Sequence, residues 1–392
     1  MLRDKAFLGL NIAAFFMMMG VGMVVAILPQ KIIEQTGSGD TAGFLASAFA
    51  VSYIIFQIPI GSLADKIGFK SLLVGGYYVC FSAGILYYIA HTPGLIFMGR
   101  FIQGIGEAPV WALVPAMLSV KFPGMRARAI GIYTAVFHMG LAIGPILGVM
   151  FQNALAGNRV FLVYSSLCLT GAFVLQTMVK TGKTETRVKK NPMTRNIRTT
   201  FQIIFSKNII PLTGIMLHGA GYGAFITIIP VFLIHHKHFS PSAMGLFFTV
   251  FYLSVCVSQF CTGPLSDIFG RKKFMVSGLL IAAASLASFP SFDNWTAVWI
   301  LGFASLGFGI FYLSSLAYLN EVVPDLQKGT ISGVYFLFWG IGYFGGPLII
   351  NRIENSFGPG YGFYVFSILI SCIGFLLTAD RDKSCPTRGG VI

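Results

Sequence analysis

Gly61-Ser-Leu-Ala-Asp65-Lys-Ile-Gly68 and Gly263-Pro-Leu-Ser-Asp267-Ile-Phe-Gly270 are one phrase written twice, 202 residues apart. The offset recurs elsewhere. Gly131, Gly140, Gly144 and Pro145 are matched by Gly333, Gly342, Gly346 and Pro347, both sets reading G-x8-G-x3-G-P. Ala26-Ile-Leu-Pro29 and Thr227-Ile-Ile-Pro230 lie close to the same offset. Agreement at several places along so long a period marks a duplicated unit, each copy filling half the chain.

Composition says what the unit is made of. Of the 392 residues, 55% are hydrophobic and 10% charged, and the mean hydropathy is +0.78. Soluble domains carry about 25% charged residues, so a bilayer must cover this much apolar surface. Apolar windows long enough to span fall at 6–28, 42–64, 72–90, 95–119, 129–153 and 159–179. Six more follow at 209–234, 242–264, 274–291, 295–319, 330–351 and 360–379. The first run is longer than the hydrophobic stretch of a signal peptide and is expected to be the first span. The expectation is an all-α membrane protein with twelve transmembrane helices in two pseudo-symmetric six-helix bundles, at 1–179 and 208–380. A basic cytoplasmic linker at 180–207 joins them, with a helical piece around Arg195–Phe205, and a cytoplasmic tail follows at 381–392.

The excess of 27 Lys and Arg over 13 Asp and Glu would suggest nucleic acid in a soluble chain. Here it reads as topology. With the N-terminus inside, 22 of the 27 basic residues fall on cytoplasmic segments, eight of them in the linker. Lys31, Arg159, Lys237 and Arg352 fall in outer loops, and Arg100 lies inside a span. That imbalance places both termini in the cytoplasm. The six cysteines form no C-x-x-C pair or zinc spacing, and five of them act as small hydrophobes in apolar runs.

The sequence resembles the major facilitator superfamily over essentially its whole length. Gly61 through Lys70 is similar to the family's loop motif between spans two and three. Arg100-Phe-Ile-Gln103-Gly104-Ile-Gly106 resembles its fourth-span motif R-x-x-Q-G-x-G. Gly131 through Gly148 resembles the fifth-span motif of the drug/proton antiporter branch. The resemblance implies two bundles rocking about a central cavity. It also implies a conformational latch at Asp65 and Asp267, served by Lys66, Lys70, Arg271 and Lys272. There are departures: Phe69 stands where the motif has a basic residue, Val149 follows Gly148, and the first span has no acid.

Read as chemistry, the glycine rows with Pro145, Gly148 and Pro347 are small-residue seams for close helix approach, expected to seal the contact between halves. Arg100, Gln103 and Glu107 share one helical face, and charge inside a bilayer normally faces a cavity or a partner. Glu107 is expected to take up and release a proton, with Arg100 tuning it or holding an anionic substrate group; a static Arg100–Glu107 pair is the alternative. The second half has Phe303, Leu306 and Ile310 at the corresponding positions. His138 and His218 lie within spans five and seven, where an unperturbed histidine titrates in the physiological range and a lone membrane histidine more often serves as a hydrogen-bonded packing residue. Tyr133, Phe137, Tyr222, Phe225, Tyr335 and Trp339 are candidate cavity-lining residues. His235, His236 and His238 crowd the outer end of span seven and read as a solvated loop. No metal or cofactor is expected.

The expected function is alternating-access secondary transport, namely proton-coupled efflux of a small, largely apolar molecule. The alternatives are a proton-coupled importer of a small metabolite or anion, and a transport-inactive receptor on the same fold. No P-loop or nucleophile elbow is present, so neither direct ATP drive nor an enzyme is expected. The partners are a small-molecule substrate, protons and membrane lipid, with no nucleic acid, and the chain is read as a monomer of the bacterial inner membrane.

Overall fold

A computed structural model describes residues 1–37, 40–155, 157–179, 197–240 and 244–379. Among them the chain is helical: α1 (Lys5–Thr36), α2 (Asp40–Ile67), α3 (Phe69–Ile89), α4 (Pro93–Lys121), α5 (Arg126–Ala154), α6 (Val160–Met178), α7 (Ile197–Ile226), α8 (Ile228–Lys237), α9 (Met244–Phe269), α10 (Arg271–Ser288), α11 (Asn294–Glu321), α12 (Lys328–Phe357) and α13 (Tyr361–Ala379). Twelve of these segments are long and apolar enough to cross a membrane, as the windows predict.

Local chemistry sets the ends. Asp4 caps α1 by accepting the Phe7 N–H at 2.8 Å, and Gly37 closes it in the left-handed region at φ 68°. Between α2 and α3 the backbone turns at Gly68 with φ 96°, and between α9 and α10 at Gly270 with φ 91°. Positive φ explains why both copies of the loop phrase end on glycine. The seventh apolar run is not one helix. It breaks at Thr227 (φ −119°, ψ −60°), three residues before Pro230, whose ring lacks a donor and crowds the preceding turn. From Ile197 the linker region is already helical, with a kink at Asn208 (φ −127°, ψ 21°). The linker up to residue 196 and the tail at 381–392 lie outside the described residues.

In the first half α1 packs against α5 and α6, α3 against α4 and α6, and α2 against α4. In the second half α12 packs against α7, α11 against α9 and α10, and α10 against α13. The halves meet where α2 crosses α12 and where α5 crosses α9, two crossings related by the 202-residue repeat.

Two expectations need correction. Lys31 is not in an outer loop. It is buried in α1, its Nζ donating to the Tyr87 carbonyl at 2.6 Å and lying 5.0 Å from the Phe161 ring. The glycine rows do not all seal the contact between halves either. A Cβ on Gly131 would meet Gln259 and Gly263 of α9, and one on Gly333 would meet Gln57 and Ile58 of α2. Gly140, Gly144 and Gly148 instead press on Phe15, Met19, Gly22 and Met23 of α1. Gly342 and Gly346 press on Met216 and Ala220 of α7. Nine residues are two and a half turns at 3.6 per turn, so Gly131 and Gly140 look in opposite directions. Pro145 lies against Gly22, and Pro347 against Gly223. The rows weld each half to its own first helix, and one glycine per row touches the other half.

Candidate functional site

At one end of the crossings sit the two carboxylates of the repeated phrase. Asp65 accepts the backbone N–H groups of Gly329 (2.9 Å) and Thr330 (2.8 Å) and the Thr330 hydroxyl. Asp267 accepts the N–H groups of Ala127 (3.2 Å) and Arg128 (2.9 Å). Each acid thus grips the first turn of a helix in the other half, α12 or α5, where free N–H groups and the helix dipole favour negative charge. The acceptors and donors correspond residue for residue across the repeat.

The two clasps are unequal in their surroundings. Arg271 pairs with Asp267 and with Glu321 (2.8 Å), and Arg126 approaches Glu321 at 3.6 Å. In the repeat Phe69 replaces Arg271, and Lys70 donates instead to the Gln176 carbonyl at 3.0 Å, within its own half. Lys66 is exposed. Lys328, the counterpart of Arg126, pairs with Asp325 at 2.7 Å and reaches the Ser119 carbonyl at 3.4 Å.

Deeper in the first half, Arg100, Gln103 and Glu107 form a chain along one face of α4. Arg100 donates to Gln103 Oε1 (3.2 Å), which also accepts the Tyr87 hydroxyl (2.6 Å). Gln103 Nε2 donates to Glu107 Oε1 at 2.8 Å. Trp111 Nε1 donates to the other carboxylate oxygen at 3.3 Å. Glu107 is 2% exposed. Among the described residues no direct Arg100–Glu107 ion pair is formed; the guanidinium reaches the acid through the glutamine. A proton can therefore join or leave Glu107 without breaking a salt bridge.

Trp111 carries this chain to the centre of the molecule. It lies 5.8 Å from Trp339 of the other half in a stacked arrangement, and 4.3 Å from Phe137. Trp111, Tyr222 and Trp339 line two adjoining spaces between the halves. One is completed by Phe49, Tyr53, Ile54 and Tyr343. The other is completed by His138, His218, Phe251, Gln259, Phe308 and Tyr312. Buried rings with few polar atoms suit an apolar ligand.

Of the six aromatic residues expected on this wall, only Tyr222 and Trp339 are there. Phe137 stands behind Trp111. Tyr133 and Tyr335 spend their hydroxyls on the Val110 and Tyr312 carbonyls (3.2 and 3.3 Å). Phe225 packs into the second half against Phe247, Phe251 and Phe308. His235 and His236 end α8, and His238 follows in the left-handed region.

The absence of charge opposite Glu107 needs a change of register. Gly106 presses on Gly76 and Cys80, and Gly307 presses on their repeats Gly278 and Ala282. The packing offset for this helix pair is therefore 201. The counterparts of Arg100, Gln103 and Glu107 become Leu301, Ala304 and Phe308, rather than Phe303, Leu306 and Ile310. They are equally uncharged.

Comparison with known proteins agrees with this architecture. The family model described as Major Facilitator Superfamily matches residues 10–238 and 211–387. "Multidrug resistance protein 1" of Bacillus subtilis is 23% identical over 371 residues, covering 93% of each chain. "Quinolone resistance protein NorA" of Staphylococcus aureus is 22% identical over 342 residues, covering 86% of this chain and 87% of its own. Among solved structures, the E. coli fucose:proton symporter superposes with a TM-score of 0.80 at 13% identity, over 96% of this chain and 99% of that one. A human organic anion transporter also reaches 0.80, at 13% identity over 95% and 99%.

Proposed function

The chain belongs to the major facilitator superfamily of membrane transporters, and from that premise we propose that it exports a small, largely apolar molecule in exchange for protons. It would do so from a bacterial inner membrane, with both termini in the cytoplasm. The observation that carries the reading is the position of Glu107. It is a buried carboxylate held by the neutral donors Gln103 and Trp111, one of which is itself part of the cavity wall. Protonation gives the acid an O–H and removes its charge, so the Trp111 contact weakens and the ring at the cavity responds. Proton entry supplies about 2.3 kcal/mol per 100 mV for each charge moved, enough to drive accumulation through one site. The relatives named for multidrug and quinolone resistance support outward movement of a drug-like molecule. The clasps at Asp65 and Asp267 serve as the conformational latch, holding the halves together at the end that must part when the cavity opens to the cytoplasm.

The test is transport in inside-out vesicles with a panel of lipophilic fluorescent dyes. Export predicts dye uptake driven by an acid vesicle interior. Glu107→Gln should abolish the proton-driven component, while the protein remains folded and still equilibrates dye down its gradient. Undiminished proton-driven uptake by this variant would eliminate the assignment of Glu107. Proton-driven loss of dye from the same vesicles would reverse the direction.

A further inference from the structure

We propose that Gly340 is a specificity-determining residue: it leaves a notch in the cavity wall, between α2 and α12, that takes a short branched alkyl substituent of the substrate. The inference rests on the transport reading above and adds where on the wall the substrate's bulk goes. The two spaces that share Trp111, Tyr222 and Trp339 are copies of one another. Phe49, Tyr53 and Gly340 bound the first, and their repeats at the 202-residue offset, Phe251, Val255 and His138, bound the second. Trp111 and Tyr312 extend the match at the 201-residue offset of α4 and α11. The copies differ in the room they leave, about 70 Å³ in the first and about 10 Å³ in the second.

The exchange of histidine for glycine accounts for the difference. His138 sets its ring edge to face with Tyr312 at 6.3 Å, on the wall of the smaller space. Gly340 sets no side chain against its neighbours. A Cβ there would lie 2.7 Å from Ile54 Cγ1 and 3.7 Å from Tyr53 Cδ1, so the vacant position falls between two residues that bound the larger space. The exchange of Tyr53 for Val255 works the other way, and the larger space stays open in spite of it. Backbone packing does not demand this glycine. The Cβ positions of Gly333 and Gly342 are blocked by backbone of α2 and α7, whereas the atoms nearest that of Gly340 all belong to side chains. About 70 Å³ takes roughly two to three small groups at a water's share of ~30 Å³ each, and is about half of the ~150 Å³ that holds benzene. The notch therefore fits an isopropyl-sized group rather than a ring. Its wall of Phe49, Ala50, Ile54 and Tyr343 favours alkyl over polar substituents. The rest of the substrate then meets the shared rings of Trp111, Tyr222 and Trp339.

Thermal-shift binding on purified full-length protein, without a gradient, tests this with quinoline and its 2-methyl, 2-ethyl and 2-isopropyl derivatives. Each affinity is taken as a ratio to that of quinoline and compared between variant and wild type, which cancels partition into detergent. Gly340→Val fills the notch and should lower the isopropyl ratio by roughly 15- to 60-fold, about fourfold for each of two to three carbons denied burial. Adding Ile54→Ala removes the side chain that the new Cβ meets and should restore most of the lost ratio. If Gly340→Val does not fold, Gly340→Ala takes its place, with a loss of about fourfold. A ratio that the substitution leaves unchanged overturns the assignment, whether or not binding weakens overall, and makes Gly340 a packing residue only. A fall that Ile54→Ala fails to reverse, or no binding of any of the compounds to the wild type, overturns it as well. Binding selectivity needs no proton gradient. Failure of Glu107→Gln to uncouple transport would therefore leave this result standing, and an unchanged ratio would leave the coupling reading standing.

Discussion

Replacing Asp65 with Asn should loosen the closed end by a predictable amount. The wild-type carboxylate accepts three hydrogen bonds from α12 of the other half. Hydrogen bonds to a charged group contribute about 1.5–3 kcal/mol and neutral ones about 0.5–1.5, so losing the charge removes roughly 1 kcal/mol from each. Asn also presents an N–H to backbone N–H donors at one position. The net loss is about 3–4 kcal/mol, which shifts the balance toward the open state by roughly 150- to 900-fold. Ser119 is the natural reporter. It is wholly buried at the end of α4, and its carbonyl accepts from Arg126 and Lys328. In a background without the native thiols, Ser119→Cys should be alkylated by a soluble maleimide only when this end opens. If opening is fast, the rate follows the open population. Asp267→Asn should act in the same direction, and the double variant should add the two free energies because the clasps grip the first turns of different helices. An alkylation rate unchanged by Asp65→Asn would refute the latch, since the rest of the crossing would then hold the end shut unaided.

The glycine seams give a comparison between adjacent residues of α12. A Cβ on Gly346 would run into Ala220 backbone, whereas one on Gly345 meets nothing within 4 Å. Gly346→Ala should cost about 1–3 kcal/mol as the helices are pushed apart, and Gly345→Ala should be neutral or stabilise by up to about 1 kcal/mol; melting temperatures in detergent separate them. At the start of α1, burial alone would raise the Asp4 carboxyl, but Lys121 at 2.8 Å and the Phe7 N–H hold it below the usual aspartate value. Its stabilising effect is therefore present above the unfolded-state pKa near 4 and is lost as pH falls through the lower folded value. Asp4→Ala should cost about 1 kcal/mol at neutral pH, typical of a lost N-cap, and the gap to wild type should close in melts run at acidic pH.

The spans and the duplication were legible because each rests on a local signal: apolar length in one case, and a repeated glycine-acid phrase in the other. The clasps were legible as residues but not as contacts. Nothing near Asp65 in sequence points to Thr330, 265 positions away. The cavity wall was the least legible part. With 38 Phe and 15 Tyr in the chain, which rings face inward depends on the rotation of each helix about its axis, and one residue changes that by 100°. Tyr133 and Tyr335 were expected on the wall and are turned into α4 and α11 instead. A narrower rule would have done better. Trp111 lies one turn beyond Glu107, and Tyr343 one turn beyond Trp339, so counting forward by four from the polar or known lining residue finds the wall.

The duplication and its violations divide the work between them. What repeats is mechanical: Asp65 and Asp267 on the first turns of α12 and α5, Gly131 and Gly333 at the crossings, and the later glycines welding α5 to α1 and α12 to α7. What does not repeat is chemical: Arg100, Gln103 and Glu107 in one half, with His138 and His218 flanking Tyr312 near the opposite wall. Helix α12 belongs to both sets. Its first turn is clasped by Asp65, and nine residues beyond Thr330, about 14 Å along the axis at 1.5 Å per residue, Trp339 stacks on the tryptophan that holds Glu107. On the proposed mechanism, a change of charge at Glu107 and a release at Asp65 would therefore act on the same helix. A single acid on one side of a symmetric frame would, on that mechanism, tilt the pair through Trp111, because the helix that Trp111 stacks on also carries one of the two clasps.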